Sequence, residues 1–394
     1  MHGRAKVLST MHLHSRYMWL LIAPIKLSCD YSFDSIPAVI STSDPRVALA
    51  ALSYCLLFAL ALYLGRQGQW QALFAVAWGG ALFVPAAGLL FDVGTVIGER
   101  LLFLPSAAFC LLCALGAARL TRTTANSVII ALVLSYSVRS VIRNATWADS
   151  LTLWQATAEE QPRNAKALFN LGVTLRNQQG DGSELQPMVM DLYSRALAIK
   201  PDYDNVYMER AKMYLRHGME TQARADLEQA ASISDHPDAH FHLGLLKMQR
   251  GKDRCAEAER HFLIAIAREP YDHRAHTNMG ICRHWHHHLQ EAHGWLTKAL
   301  SITPAAEAAV PADALANVLR DSGLPVEAAK LHDLATAIQP QSFAFQYNRA
   351  LSLFEAEEFS EAAAAFKLAA TLDPAQATLC HERATFAKQF EASK

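Results

Sequence analysis

Apolar residues are arranged in two different ways along this chain. Up to about residue 143 they form unbroken runs, and beyond it they recur at helical spacing between charged residues. Val47 to Leu64 is uncharged for 18 residues, which at helical rise covers about 27 Å of a hydrocarbon core about 30 Å thick. Trp70 to Phe91, Leu101 to Ala118 and Val128 to Ile142 follow as further spans, the last interrupted near its end by Arg139. Gly79, Gly80 and Pro85 inside the second run require neighbouring helices packed close to it. Tyr17 to Cys29 is apolar but short and broken by Pro24 and Lys26, so it reads as a re-entrant or interfacial segment. A signal peptide with a short apolar region is the alternative.

The second part is a repeat array. Prolines 162, 201, 270, 304, 340 and 374 stand 39, 69, 34, 36 and 34 residues apart, the period of tetratricopeptide helix pairs. With each proline set at position 32, position 8 of helix A is Gly172, Ala211, Gly244, Gly280, Ala316 and Ala350. Position 27 of helix B is Ala196, Ala230, Ala265, Ala299, Ala335 and Ala369. Small residues are needed at both, where the two helices cross. Position 24 carries large knobs expected to meet the next repeat: Tyr193, Leu227, Phe262, Leu296, Phe366 and one misfit, His332. The predicted architecture is all-α, a multi-span transmembrane helix bundle followed by a tetratricopeptide-repeat α-solenoid. Its expected divisions are an N-terminal luminal or interfacial segment at 1–45, about four spans at 46–143, a junction half repeat at 144–163, six repeats at 164–376 and a capping helix at 377–394. A solenoid needs such atypical ends to close its apolar faces.

Charge sharpens this division. Residues 1–143 hold 11 Lys+Arg and 5 Asp+Glu, and the remainder 25 and 32. Neither part gathers its cations into a stripe that could follow a phosphate backbone, so a nucleic-acid partner is excluded. Arg66, Arg119 and Arg122 lie in the short connections on one side, which the positive-inside rule puts in the cytosol. Four spans then leave the repeats on the opposite, luminal face. The seven cysteines have no spacing of a disulfide framework, and Cys110 and Cys113 sit in an apolar run without the cation that would activate a thiol. The stretch Arg283 to His288 carries four histidines but no spaced Cys, Asp or Glu to complete a tetrahedral site, so no metal is expected.

Particular residues then resemble a known family. Gly98-Glu99-Arg100-Leu101-Leu102-Phe103-Leu104-Pro105-Ser106, after Phe91-Asp92-Val93-Gly94, is similar to the E-R-x-L-Y-x-P-S hallmark of the transmembrane and tetratricopeptide-repeat-containing O-mannosyltransferases. Cys29-Asp30-Tyr31-Ser32, Ile36-Pro37 and Pro162-Arg163-Asn164-Ala165-Lys166 with Asn170-Leu171-Gly172 resemble the same family. The likeness runs from about residue 17 to the end, and residues 1 to 15 match nothing in it. It implies a multi-pass endoplasmic reticulum membrane protein with luminal repeats. The implied activity moves mannose from the donor substrate dolichyl phosphate mannose, with no bound cofactor, to Ser or Thr of clients such as cadherins. The partners it implies are the lipid bilayer and extended or loop segments of secretory-pathway proteins.

In that family the catalytic acidic residues precede the part resembled here, so no catalytic residue is assigned in this chain. The expectation is a C-terminal part that alone transfers nothing, either a short gene model or a true short form. Glu99 and Arg100 have two readings. Arg100 meets the lipid phosphate with Glu99 orienting it, since a guanidinium offers phosphate a planar fork, or the two form an interfacial ion pair. Position 6 of helix A faces the concave groove, and there Asn170, Asn278 and Asn348 are the candidates for binding peptide backbone. The competing function is a non-catalytic membrane-anchored scaffold that recruits luminal clients.

Overall fold

The computed structural model describes residues 3–33, 35–88, 97–179 and 187–393. It is helical throughout these residues, with short 3-10 turns. Two compact units divide the chain, residues 1–210 and 211–394.

The first unit opens with α1 (Gly3–Ile22), α2 (Pro45–Arg66), α3 (Trp70–Phe83), α4 (Phe103–Ala117) and α5 (Arg122–Ala145). The helix α1 begins well before Tyr17, where the apolar run starts. It draws His12, His14 and Ser15 into the interior together with Leu8 and Tyr17, which an inspection for apolar runs passes over. Ile22 ends it just before Pro24, because the residue preceding a proline is disfavoured in helical conformation. Its last carbonyls are bonded from α5. Tyr136 donates its hydroxyl to Leu21 O at 2.7 Å, and Arg139 donates Nε–H to Pro24 O at 2.9 Å. Arg139 thus holds the chain just beyond the end of α1. Asp44 caps α2 by accepting Arg46 N–H, and Pro45 stands at the first helical position, where its missing donor costs nothing.

Among the described residues, three helices are long and apolar enough to cross a membrane: Pro45–Arg66, Glu99–Ala117 and Arg122–Ala145. The run from Trp70 forms a shorter helix of 14 residues ending at Phe83, where a 3-10 turn carries Pro85. Its continuation to Phe91 and the segment Phe91–Gly94 lie outside the described residues. The close neighbour its glycines require is present, since a Cβ built on Gly79 would meet Ala108 Cβ of α4 at 2.9 Å. The unit continues through α6 (Ser150–Glu160), the half repeat, into α7 (Ala165–Gln179) and α8 (Pro187–Ile199), the first complete pair.

Helix α9 (Asp204–Arg216) spans the boundary. The second unit carries α10 (Glu220–Ser234), α11 (Pro237–Gln249), α12 (Cys255–Arg268), α13 (His273–Trp285), α14 (Leu289–Ile302), α15 (Ala309–Asp321), α16 (Pro325–Ile338), α17 (Phe343–Glu355), α18 (Phe359–Leu372) and α19 (Ala377–Ser393). The period dictates the packing. Tyr193, Phe262 and Leu296 are fully buried, and each lies on the glycine at position 8 of its own repeat, while Phe262 and Leu296 also share core clusters with the first helix of the next repeat, as expected. A Cβ on Gly172 would stand 2.6 Å from Tyr193, one on Gly244 2.5 Å from Phe262, and one on Gly280 2.5 Å from Leu296. At His332 the knob is polar and equally buried. Its Nδ1 is hydrogen-bonded with Ser352 Oγ at 3.0 Å, and its Nε2 faces the Asp313 carboxylate at 3.4 Å without forming a hydrogen bond.

Several histidines of the second unit are held neutral by their surroundings. Burial, helped by Lys212 and Arg274 and opposed by Asp238, lowers His242 to about 4. Burial likewise lowers His240 and His261, whose Nδ1 atoms are 3.0 Å apart. The unfolded chain takes up these protons near the ordinary value of 6.5 and the folded one only at lower pH. Stability is therefore full above pH 6.5 and falls as pH drops from there towards 4. Thermal unfolding followed at pH 7 and pH 5 is expected to show a loss of about 2 kcal/mol from His242. His242→Asn is expected to flatten that slope, and an unchanged slope would remove His242 as its source.

Candidate functional site

The segments that resemble the family lie up to 136 residues apart in sequence and meet within the first unit. A polar strap, Ser28 to Ser32, stands at the centre. On its membrane side it holds Glu99, whose Oε1 accepts Ser28 N–H at 2.6 Å and the Tyr31 hydroxyl at 2.7 Å. Gly98 N–H donates to Tyr17 Oη at 2.8 Å, and Tyr17, Tyr31, Ile36, Ile97 and Leu102 form one buried cluster beneath. On its repeat side the strap holds the first pair. Asp30 accepts Lys166 Nζ at 2.9 Å and Asn164 Nδ2 at 3.0 Å, and Cys29 Sγ is 3.1 Å from Thr157 Oγ1. Asn164 Oδ1 accepts Ala167 N–H, so the same residue caps α7.

The electrostatics follow from these bonds. Burial would raise the Asp30 carboxyl, but hydrogen bonds from Ser32, Lys166 and Asn164 outweigh it and hold the group below the ordinary carboxylate range. Burial, and then the Glu99 carboxylate, push the Tyr31 phenol far above its ordinary value. Phe33, at φ 53°, extends the strap to the repeats by packing on Tyr203 with ring centroids 5.1 Å apart, and Lys200 Nζ lies 5.2 Å from the Phe33 centroid.

Glu99 and Arg100 start the turn that leads into α4, and they part company there. Glu99 is half-buried and turned to the strap, so it is not an ion-pair partner of Arg100. Arg100 is exposed and has no partner among the described residues. With Glu99, Ser106 and Tyr136 it forms the polar part of the lining of a cavity of about 790 Å³ whose remaining walls are mostly apolar side chains of α1, α4 and α5, among them Leu21, Phe103, Phe109, Leu132 and Val133. A second cavity of about 640 Å³ shares Leu21, Leu102, Phe109 and Cys113 with it and ends at the hydrogen-bonded pair His14 and Tyr54. A guanidinium at the mouth of an apolar slot between span-length helices is suited to an amphiphile with an anionic head and a hydrocarbon tail.

The asparagines differ among themselves. Asn170 on α7 is half-buried, with no side-chain partner among the described residues. Asn278 donates Nδ2–H back to Arg274 O at 2.8 Å, and Asn348 donates to Asp313 Oδ1 at 3.0 Å. The latter two have one N–H engaged and keep their carbonyl oxygen and second N–H for a ligand. The cluster Arg283 to His288 resolves into pairs with carboxylates: His284 Nε2 lies 2.8 Å from Asp321 and Arg283 3.0 Å from Glu259. Residue types alone did not point to the strap contacts. Asp30 and Lys166 carry opposite charges, but 136 positions separate them and no local pattern links them.

Comparison with known proteins agrees with these parts. A family model described as Protein O-mannosyl-transferase TMTC, DUF1736 matches residues 2–58, and a tetratricopeptide-repeat model matches residues 314–377. The first match reaches into residues 1 to 15, which the sequence reading left outside the resemblance. The mouse Protein O-mannosyl-transferase TMTC3 is 26% identical over 285 residues, 66% of this chain and 30% of its own length. Mouse TMTC4 is 35% identical over 176 residues, 42% and 24% respectively. Human TMTC1 is 31% identical over 188 residues, 44% and 21%. The chain thus spans less than a third of these relatives. Among solved structures, the APC/C hetero-tetramer Cut9-Hcn1 matches with a TM-score of 0.50 at 15% identity over 59% of this chain and 45% of that one, a likeness of fold alone.

Proposed function

We propose that this chain, a relative of the TMTC protein O-mannosyl-transferases, serves protein O-mannosylation by holding a lipid-linked mannose donor at Arg100 and acceptor segments on its repeats. The observation that supports this reading most is the unpaired Arg100 at the mouth of the apolar slot. Dolichyl phosphate mannose has the complementary parts: one phosphate for the guanidinium fork and an isoprenoid tail for the slot. In this reading the repeats face the lumen of the endoplasmic reticulum, where client Ser and Thr hydroxyls are available, and protease protection in sealed microsomes reports on that placement.

On the acceptor side, Asn170, Asn278 and Asn348 bind the backbone of an extended segment of a client such as a cadherin. With one N–H of each already engaged, Asn278 and Asn348 bind mainly through the acceptor oxygen, worth on the order of 1 kcal/mol per neutral hydrogen bond. Asn278→Ala with Asn348→Ala is therefore expected to weaken binding of an unfolded acceptor peptide by about 2 kcal/mol, roughly 30-fold. Isothermal titration, with circular dichroism to verify the helices, makes the test. Undiminished peptide affinity in the double variant would take acceptor binding away from these asparagines.

A further inference from the structure

We infer that the strap Ser28 to Ser32 is a positioning element that ties the first helix of the repeats to Arg100, with Lys166 and Asp30 as its clamp. This rests on the reading of Arg100 as the phosphate-binding cation. The physical chain is continuous. Lys166 and Asn164 hold both the carboxylate and the main-chain carbonyl of Asp30, each Asn164 bond being 3.0 Å. Asp30 in turn fixes the strap's own geometry, accepting Ser32 N–H at 2.8 Å on its side chain and Ser28 Oγ–H at 2.7 Å on its carbonyl. Ser28 and Tyr31 then grip one oxygen of Glu99, the residue next to Arg100 in the same 3-10 turn. Arg100 itself has no hydrogen-bond or ion-pair partner among the described residues, so its placement rests on the turn anchored through Glu99.

The clamp also reaches the acceptor side. Lys166 and Asn170 stand four apart on α7, and residues so spaced lie on the same helix face. A segment bound at Asn170 thus lies one turn from the residue that holds the strap. The strap joins phosphate site and acceptor helix by direct hydrogen bonds within one compact unit. Removing Lys166, a cation outside both cavities, leaves Asn164 as the repeat-side partner of Asp30 and so loosens the link.

The test uses the full chain in phosphatidylcholine nanodiscs, with farnesyl phosphate as probe and inorganic phosphate as the arm lacking a tail. Lys166→Ala is expected to lower farnesyl phosphate affinity about tenfold, an effect typical of residues coupled through one hydrogen-bond network. Lys166→Arg, which keeps the cation, is expected to restore it. In a Glu99→Ala background, where the strap no longer reaches the turn, Lys166→Ala is expected to add less than about twofold. Hydrogen exchange at the Ser28 amide is expected to quicken in Lys166→Ala.

Parent-level affinity in Lys166→Ala overturns the inference, and so does an equal loss with and without the Glu99 side chain, which marks general damage. If the parent takes up no farnesyl phosphate, or only as weakly as inorganic phosphate, the reading of Arg100 as a lipid-phosphate site fails. The strap is then judged on exchange alone, and a Ser28 amide that exchanges at the parent rate in Lys166→Ala disposes of it.

Discussion

Arg100→Gln is expected to weaken binding of a polyprenyl phosphate about 100-fold, measured by titration of nanodisc-held protein with farnesyl phosphate. Two charge-assisted bonds are lost, each worth roughly 1.5 kcal/mol at an exposed mouth, which together correspond to about two decades in affinity. Arg100→Lys keeps the charge but not the planar fork, so it should recover only part of the loss. Dolichol, with the same tail chemistry and no phosphate, should bind the parent and Arg100→Gln alike. Retention of farnesyl phosphate affinity within twofold by Arg100→Gln would leave the apolar slot without its anionic head and sink the donor reading.

Gly280→Leu is expected to destabilise the second unit by about 3 kcal/mol or more, because an overfilled helix crossing has no way to relax. Already the first added carbon would stand 2.5 Å from Leu296 Cγ and 3.3 Å from the Ala292 carbonyl oxygen, so a backbone as well as a side chain must yield. Gly280→Ala should cost less, and pairing it with Leu296→Ala should return part of the loss, since the two sites share one contact. Melting followed by circular dichroism reads all three variants. An unchanged melting temperature in Gly280→Leu would mean that position 8 does not carry a helix crossing.

These two predictions draw on parts of the molecule that were unequally legible in the sequence. The repeat crossings were legible because position 8 and position 24 recur with the period, and the glycines at 172, 244 and 280 face the largest buried knobs. What the period did not reveal was the second partner. The knob meets the next repeat as expected, and it also seals the glycine of its own pair, which the spacing alone does not state. The apolar runs around Val47, Leu101 and Val128 are span-length helices for the same local reason. Helix α1 was half hidden, since its buried His12 and His14 are polar by composition and His14 is satisfied only by tertiary contact, as in the bond between its Nε2 and Ala87 O.

The site divides in the same way. Arg100 stood out as a cation beside an apolar run, and its neighbour Glu99 suggested an ion pair by adjacency. The fold sends Glu99 elsewhere, to Ser28 and Tyr31, partners 71 and 68 residues away. Long-range pairing of this kind leaves no periodic trace. Asp30, Asn164 and Lys166 drew attention only through resemblance, and their common role became visible when the chain brought them within 3 Å.

Helix α5 buries none of its side chains within the chain, although it forms one wall of the slot beside Arg100. In the proposed reading that wall borders hydrocarbon on its outer side, and a tail would reach the slot sideways from the leaflet and not from water. For such a ligand the bilayer is the solvent. Occupancy then follows its mole fraction among the lipids, so diluting the membrane suspension leaves binding unchanged while adding inert lipid at constant ligand lowers it.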